Sequence, residues 1–217
     1  MNSNDVGFEQ FHMFKLKIQQ DKIFYFENAL SFPSELKSHI EYIDDQPESY
    51  NRISKWEPWT ASDDKSLVYG ATKKIDTHVV KSTKTISLID KKVLYISNEF
   101  ETAFEMCADR YIKLNGLNKE NYSLNLKGIL IKKWNSGQSM GPHFDGQDGH
   151  NALAFSLVAY INDDYEGGEI SFKNQNISIK PKAGSIIIFP SQEPYIHEVT
   201  KITSGTRWMS PAHIYSK

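Results

Sequence analysis

Cysteine is nearly absent from this chain. Cys107 stands alone among 217 residues, so no disulfide can form within the chain, and such usage fits a reducing compartment. Long apolar runs are missing as well. No stretch approaches the roughly 20 residues needed to cross a bilayer. The first twenty residues carry acidic and polar groups where a secretory signal needs a basic start and an apolar core. A soluble, cytoplasmic protein with no membrane partner is the expectation. Charge of one sign is also lacking. Lys and Arg total 25 against 27 Asp and Glu, a formal net charge of -2. With no overall basic field to hold a polyanion, nucleic acid is not an expected partner. Neither internal repeats nor low-complexity segments occur.

What is present fits an ordinary globular chain. Apolar residues make up 39% and charged residues 24%, enough to bury a core without metal or disulfide staples. The length fits a single domain over residues 1–217. Its character changes near residue 121. Residues 1–121 read as a helical and irregular support region. Residues 122–217 read as a β core.

In the first region, Phe14, Leu16 and Ile18 alternate with lysines as in a strand. The apolar run Ile23, Phe24, Tyr25 and Phe26 follows, too short to assign by period. Ser31 with Pro33 and Glu35 marks a helix start. Leu36, Ile40 and Ile43 continue at helical spacing until Pro47. Residues 46–84 show no regular period but carry Trp56, Trp59 and Gly70. Long aromatic loops inside compact domains are often functional. Residues 47–85 are therefore the candidate substrate loop, against the plainer reading of a surface loop pinned by two tryptophans. Residues 90–115 form the clearest helix. Ile96, Phe100, Ala103, Phe104, Cys107, Tyr111 and Leu114 recur every third or fourth position, with Gly116 as the stop. This stripe should cover a sheet face, with Cys107 as a small core residue.

Beyond residue 121 the period becomes two. Short apolar segments at 124–134, 152–161, 169–172, 177–179, 185–189, 196–202 and 207–215 are separated by Gly, Pro, Asn and Asp. The pattern predicts an α+β fold that is mainly β. A double-stranded β-helix, or jelly roll, with N-terminal helices packed on one sheet is the architecture that fits.

Within that β region lies His143-Phe144-Asp145. Residues two apart on an extended strand point the same way, so both side chains could reach one ion. His197, in the strand-like Tyr195-Ile196-His197-Glu198-Val199, could supply the third ligand from another strand. Two imidazoles and one carboxylate leave open positions, as in non-haem iron(II) oxygenases. Zinc could bind the same groups, and the residues alone do not choose. His-x-Asp by itself is a weak signal, and His150 reads as an ordinary polar loop residue. After Ser204-Gly205, a natural turn, a returning strand would aim Arg207 into the same cavity, where a guanidinium would pair bidentately with a carboxylate.

These blocks stand in a recognisable order. Trp134-Asn135-Ser136-Gly137-Gln138 leads to Pro142-His143-Phe144-Asp145. Tyr160 follows, then Tyr165-Glu166-Gly167-Gly168-Glu169, then Lys182-Ala183-Gly184-Ser185 and Phe189, and finally His197-Glu198-Val199 and Gly205-Thr206-Arg207-Trp208. Together they resemble the prolyl 4-hydroxylase-like branch of the 2-oxoglutarate- and Fe(II)-dependent dioxygenases. The resemblance implies a double-stranded β-helix with His143, Asp145 and His197 as Fe(II) ligands. It implies Arg207, with the Tyr160 hydroxyl, at the distal carboxylate of 2-oxoglutarate, and Trp134 beside that pocket. Relatives commonly carry tyrosine at the positions of Trp134 and Met140, which is a departure from the collagen-type enzymes. Gly167-Gly168 reads as a structural turn.

The implied activity is hydroxylation of a C–H bond using Fe(II), 2-oxoglutarate and O2, with ascorbate as a reductant from which relatives often benefit. A prolyl residue of a peptide or protein is the family-weighted substrate. Another side chain, a free amino acid or another small molecule is the alternative. A non-enzymatic jelly-roll binding module and a cupin-like zinc or manganese enzyme are readings of other classes.

Overall fold

Alternation decides the architecture. Where strands are apolar at every position, both faces must be covered. In the computed structural model, which describes residues 14–44, 55–60, 68–75, 87–126, 128–146 and 152–217, helices cover one face of a large sheet and a smaller sheet covers the other.

The chain opens with the hairpin β1 (Lys15–Gln20) and β2 (Ile23–Glu27), then α1 (Pro33–Asp44). Next come β3 (Glu57–Thr60), β4 (Val68–Ile75) and the long α2 (Leu88–Leu114). The β core follows: β5 (Tyr122–Asn125), β6 (Ile129–Asn135), β7 (Met140–His143), β8 (Leu153–Tyr160), β9 (Glu166–Gly167), β10 (Ile170–Phe172) and β11 (Ile177–Ile179). It closes with β12 (Ile186–Pro190), β13 (His197–Val199), β14 (Ile202–Ser204) and β15 (Thr206–Ser216).

The large sheet has nine strands, in the order β1-β2-β12-β8-β15-β6-β4-β3, with β5 paired to β15. Facing it is a four-stranded sheet, β11-β10-β13-β7, while β14 and β9 form a separate pair. All strand pairings among the described residues are antiparallel. The arrangement is the expected jelly roll.

Period two sorts the core into two layers. Ile186, Ile188, Leu157, Ala159 and Trp208 pack towards the helices. Ile187, Phe189, Val158, Tyr160 and Met209 pack between the sheets. α2 meets the first layer with the expected stripe: Phe100, Phe104, Cys107 and Tyr111 are each 0% exposed. Its start lies slightly earlier than the apolar period indicates, at a capping box in which Ser87 and Asp90 satisfy each other's backbone N–H groups. Asn115 caps the other end and Gly116 follows at φ 65°, a conformation glycine adopts without penalty. Burial pushes the Cys107 thiol well above its usual range, as suits an inert core cysteine.

Three expectations need correction. Residues 46–84 were expected to be irregular. Within the described part, 57–60 and 68–75 are instead paired strands that extend the large sheet through β6. Their polar residues hide the alternation, because one edge of this hairpin is solvated. The segment expected as a single strand over 196–202 divides into β13 and β14, which join different sheets. Asp145 lies in the turn after β7 rather than in a strand. His150 falls outside the described residues, as do 47–54, 61–67 and 76–85 of the expected substrate loop. No helix among the described residues is long and apolar enough to cross a membrane.

Candidate metal centre

Strand pairing brings the distant histidine to the near one. His197 on β13 is the register partner of His143 on β7, and their ring centroids are 4.3 Å apart. The chain turns after β7 and returns Asp145 beneath both rings. Asp145 Oδ1 lies 3.6 Å from His143 Nε2 and 3.8 Å from His197 Nε2. One ligand atom from each residue falls within 4.8 Å of the others. A small closure would place all three on one ion.

The imidazoles are already oriented for this. His143 Nδ1 faces the Gly141 carbonyl at 2.9 Å, and His197 Nδ1 faces the Tyr195 carbonyl at 3.2 Å. A carbonyl only accepts, so each Nδ1 carries the donated hydrogen. That leaves each neutral ring's Nε2 lone pair towards the cavity, the tautomer a metal needs. Phe172 and Phe189 pack on His197 at 5.3 and 4.7 Å, and it is only 5% exposed. Burial depresses this imidazole to about 4 against a partial pull from Asp145, so it is neutral at physiological pH. Burial alone would raise the Asp145 carboxyl. The His143 and His197 imidazoles and the Ser156 hydroxyl outweigh it and hold the group below the usual carboxylate range. Behind it, the buried Ser156 and Ser191 hydroxyls share a 2.7 Å hydrogen bond.

Deeper in the same cavity sits a cation. β15 pairs with β6, so that Arg207 is opposite Trp134. The guanidinium carbon lies 5.0 Å from the Trp134 ring and 5.0 Å from the Tyr160 ring. Arg207 is 1% exposed, yet its Nε and Nη1 have no hydrogen-bond partner, nor have Tyr160 Oη, Tyr165 Oη and Trp134 Nε1. Burial pushes the Tyr160 hydroxyl up, with Arg207 pulling against it. No acidic side chain among the described residues pairs with Arg207. A buried guanidinium without an anion is costly. This cluster of unmet donors therefore suits an incoming carboxylate.

All six sequence-predicted residues, His143, Asp145, His197, Arg207, Tyr160 and Trp134, line one cavity of about 120 Å³. A cavity of this size admits a small molecule or one side chain. One of its charged lining groups was not anticipated as a site residue. Lys132, two residues before Trp134, projects to the same side, and burial lowers its ammonium to about 7 while Asp145 pulls it upward. Trp59 forms part of the wall, whereas Trp56 lies on the other side of the sheet against Trp208 at 5.5 Å. The parity shared by Lys132 and Trp134 was the available sequence signal.

A jelly roll with two histidines, one carboxylate and a buried cation in a single cavity defines a class of non-haem metal proteins. Residues 129–215 match the family model described as the 2OG-Fe(II) oxygenase superfamily. The chain is similar to a PKHD-type hydroxylase from Prochlorococcus marinus, with 36% identity over 85 residues, covering 37% of this chain and 38% of that protein. A second PKHD-type hydroxylase, from Prochlorococcus marinus strain NATL1A, is 33% identical over 96 residues, covering 42% of each. The chain thus aligns over about two fifths of the length of these curated relatives. Among solved structures, the fold resembles a prolyl hydroxylase from Trichoplax adhaerens in complex with a hypoxia inducible factor peptide fragment, with TM-score 0.60 and 12% identity over 90% of this chain and 84% of that one. It also resembles the viral collagen prolyl hydroxylase of Paramecium Bursaria Chlorella virus-1, with TM-score 0.53 and 15% identity over 90% and 96% of the two chains. At these identities the likeness concerns the fold.

Proposed function

We propose that this protein is an Fe(II)- and 2-oxoglutarate-dependent hydroxylase acting on a prolyl residue of a peptide or protein. The observation that carries the reading is the shared cavity. A three-ligand cluster with metal-ready tautomers and a buried, unpaired guanidinium face one space.

Bound iron(II) and 2-oxoglutarate would supply the oxidising chemistry that places one atom of O2 into a C–H bond, with succinate and CO2 as co-products. His143, Asp145 and His197 hold the ion. Arg207 binds the far carboxylate of the cosubstrate, and the Tyr160 hydroxyl adds a second donor to it. Trp134 walls this pocket and offers its indole N–H. Phe172 and Phe189 shield His197 from water, which preserves the neutral imidazole and strengthens every charge interaction beside it. A non-enzymatic binding module would need neither the oriented histidines nor the orphaned guanidinium. The lone, buried Cys107 accords with a cytoplasmic setting. Ascorbate belongs to the same proposal as a reductant that keeps the metal ferrous.

The direct test is anaerobic addition of Fe(II) and 2-oxoglutarate, followed by air. A visible absorption band from the chelate should form, and succinate should accumulate. Proline-containing peptides should gain the mass of one oxygen. No band and no succinate above a metal-free control would sink the reading. Oxygen gain only on another side chain, a free amino acid or another metabolite would move the substrate and keep the chemistry.

A further inference from the structure

β6 divides two neighbouring lysines between the two faces of the sheet. Lys133 goes to the helix side, its ammonium 4.0 Å from the Trp56 ring. Lys132 goes to the cavity side, its ammonium 3.2 Å from the centroid of the Trp59 ring. Trp59 is held by β3, packed edge-on to Trp134 at 5.2 Å and to Tyr69 at 5.4 Å. The close approach of this hairpin to β6 depends on Gly70. A Cβ there would stand 2.5 Å from the Lys133 carbonyl oxygen, which no real contact allows. Lys132 is therefore a built part of the wall of the cavity that also holds the metal cluster and Arg207.

The charges in the cavity do not balance. Among the lining residues Lys132 and Arg207 are the cations, and Asp145 is the only carboxylate. A divalent ion and a dianionic cosubstrate cancel each other. Asp145 cancels one of the two cations. One positive charge remains, in a place where burial disfavours an unmatched ammonium. Arg207 is committed to the far end of the cosubstrate. Lys132 lines the same cavity, and no carboxylate among the described residues lies within ion-pairing distance of it.

We propose that Lys132 is a specificity-determining residue that selects a substrate carrying a carboxylate close to the C–H bond to be oxidised, with the substrate's hydrocarbon part resting on Trp59. This rests on the hydroxylase reading and goes beyond it by naming a charge requirement. The carboxylate restores the balance and favours the charged form of the ammonium. Two sources fit the same chemistry: the α-carboxylate of a free amino acid, and an acidic side chain next to a prolyl residue in a peptide.

Binding tests this without turnover. The zinc-loaded protein is first saturated with 2-oxoglutarate. It is then titrated calorimetrically with L-proline against L-prolinamide, and with acetyl-Pro-Glu-amide against acetyl-Pro-Gln-amide. In at least one pair the carboxylate should bind about tenfold tighter or more, as expected for a charge-assisted hydrogen bond. The pair that shows the preference identifies the source. In Lys132→Met that ratio should collapse towards one, in Lys132→Glu it should invert, and Lys132→Arg should retain part of it. Equal affinities in the unaltered protein, a ratio unmoved by Lys132→Met, or no binding of either pair to the 2-oxoglutarate complex would overturn the proposal. Failure of 2-oxoglutarate itself to bind would instead remove the hydroxylase reading, and this inference with it.

Discussion

His143 and His197 face each other as register partners across β7 and β13, with ring centroids 4.3 Å apart. The backbone pairing, rather than side-chain reach, thus sets the separation of the two imidazoles. Asp145 completes the cluster from a turn, the one member of it whose position is not set by strand pairing.

Loss of either imidazole should therefore empty the centre. Changes behind metal ligands alone cost about 10–100-fold in affinity, so removal of a ligand should cost more. For His143→Ala and His197→Ala, iron content after dialysis should fall towards background and succinate formation should stop. Far-ultraviolet circular dichroism should stay unchanged for His143→Ala, which leaves the backbone pairing of β7 with β13 in place. Full iron retention in either variant would remove that residue from the cluster.

Arg207 makes a different prediction, because it lies away from the ion. Truncating one partner of a buried charge pair costs at least about 2 kcal/mol, or roughly 30-fold. Arg207→Met should raise the KM for 2-oxoglutarate by about that factor or more. Arg207→Lys should recover part of it, since it restores charge without the two-pronged geometry. Tyr160→Phe should have a smaller effect of the same kind. Iron affinity measured without cosubstrate should move little in all three, which separates an anchor from a metal ligand.

Much of this was legible from residue patterns. α1 begins at the Pro33 that its capping signals indicate, and Ile177–Ile179 emerges as a strand with the predicted ends. These elements bury one clean periodic face, so pattern and packing agree. β3 and β4 escaped because Thr72, Lys73 and Lys74 look solvated. Yet Lys73 is 6% exposed, tied to Asp44 on α1, a tertiary contact that no local pattern reveals. The cavity's six expected residues were readable because each has a distinctive chemistry. Lys132 was not, since a lysine in a half-polar strand reads as a solvated face until the sheet on the other side is known.

Trp56 and Trp59 were expected to act alike on substrate, and the sheet between them now separates them. Trp56 donates its indole N–H to Asp44 at 2.7 Å and packs on Trp208. Trp56→Ala should cost about 2 kcal/mol or more of stability through lost packing, seen as a lower Tm with little change in substrate KM. Trp59→Ala should reverse the pattern, weakening substrate binding more than 2-oxoglutarate binding. Equal effects of Trp59→Ala on both ligands would assign it a structural role.

The last prediction concerns pH and the metal-free protein. The folded-state value for His197 is depressed, from 6.5 to about 4, chiefly by burial. The unfolded chain then binds the extra proton first as pH falls, so folding should weaken between pH 6.5 and about 4. Above 6.5 the imidazole is neutral in both states and contributes no slope. Each tenfold change in proton affinity is worth roughly 1.4 kcal/mol, so the loss across the window should not exceed about 3.4 kcal/mol. Asp145 has the opposite origin but the same direction, and its depressed carboxyl acts only below the ordinary carboxylate value of 3.8, outside this window. Urea titrations at pH 7, 5.5 and 4.5 measure the effect, with His197→Gln as the comparison that removes the imidazole. The variant should show a flatter pH dependence than the unaltered chain. An identical slope in both would mean that His197 is not the buried, neutral group the packing of Phe172 and Phe189 makes it.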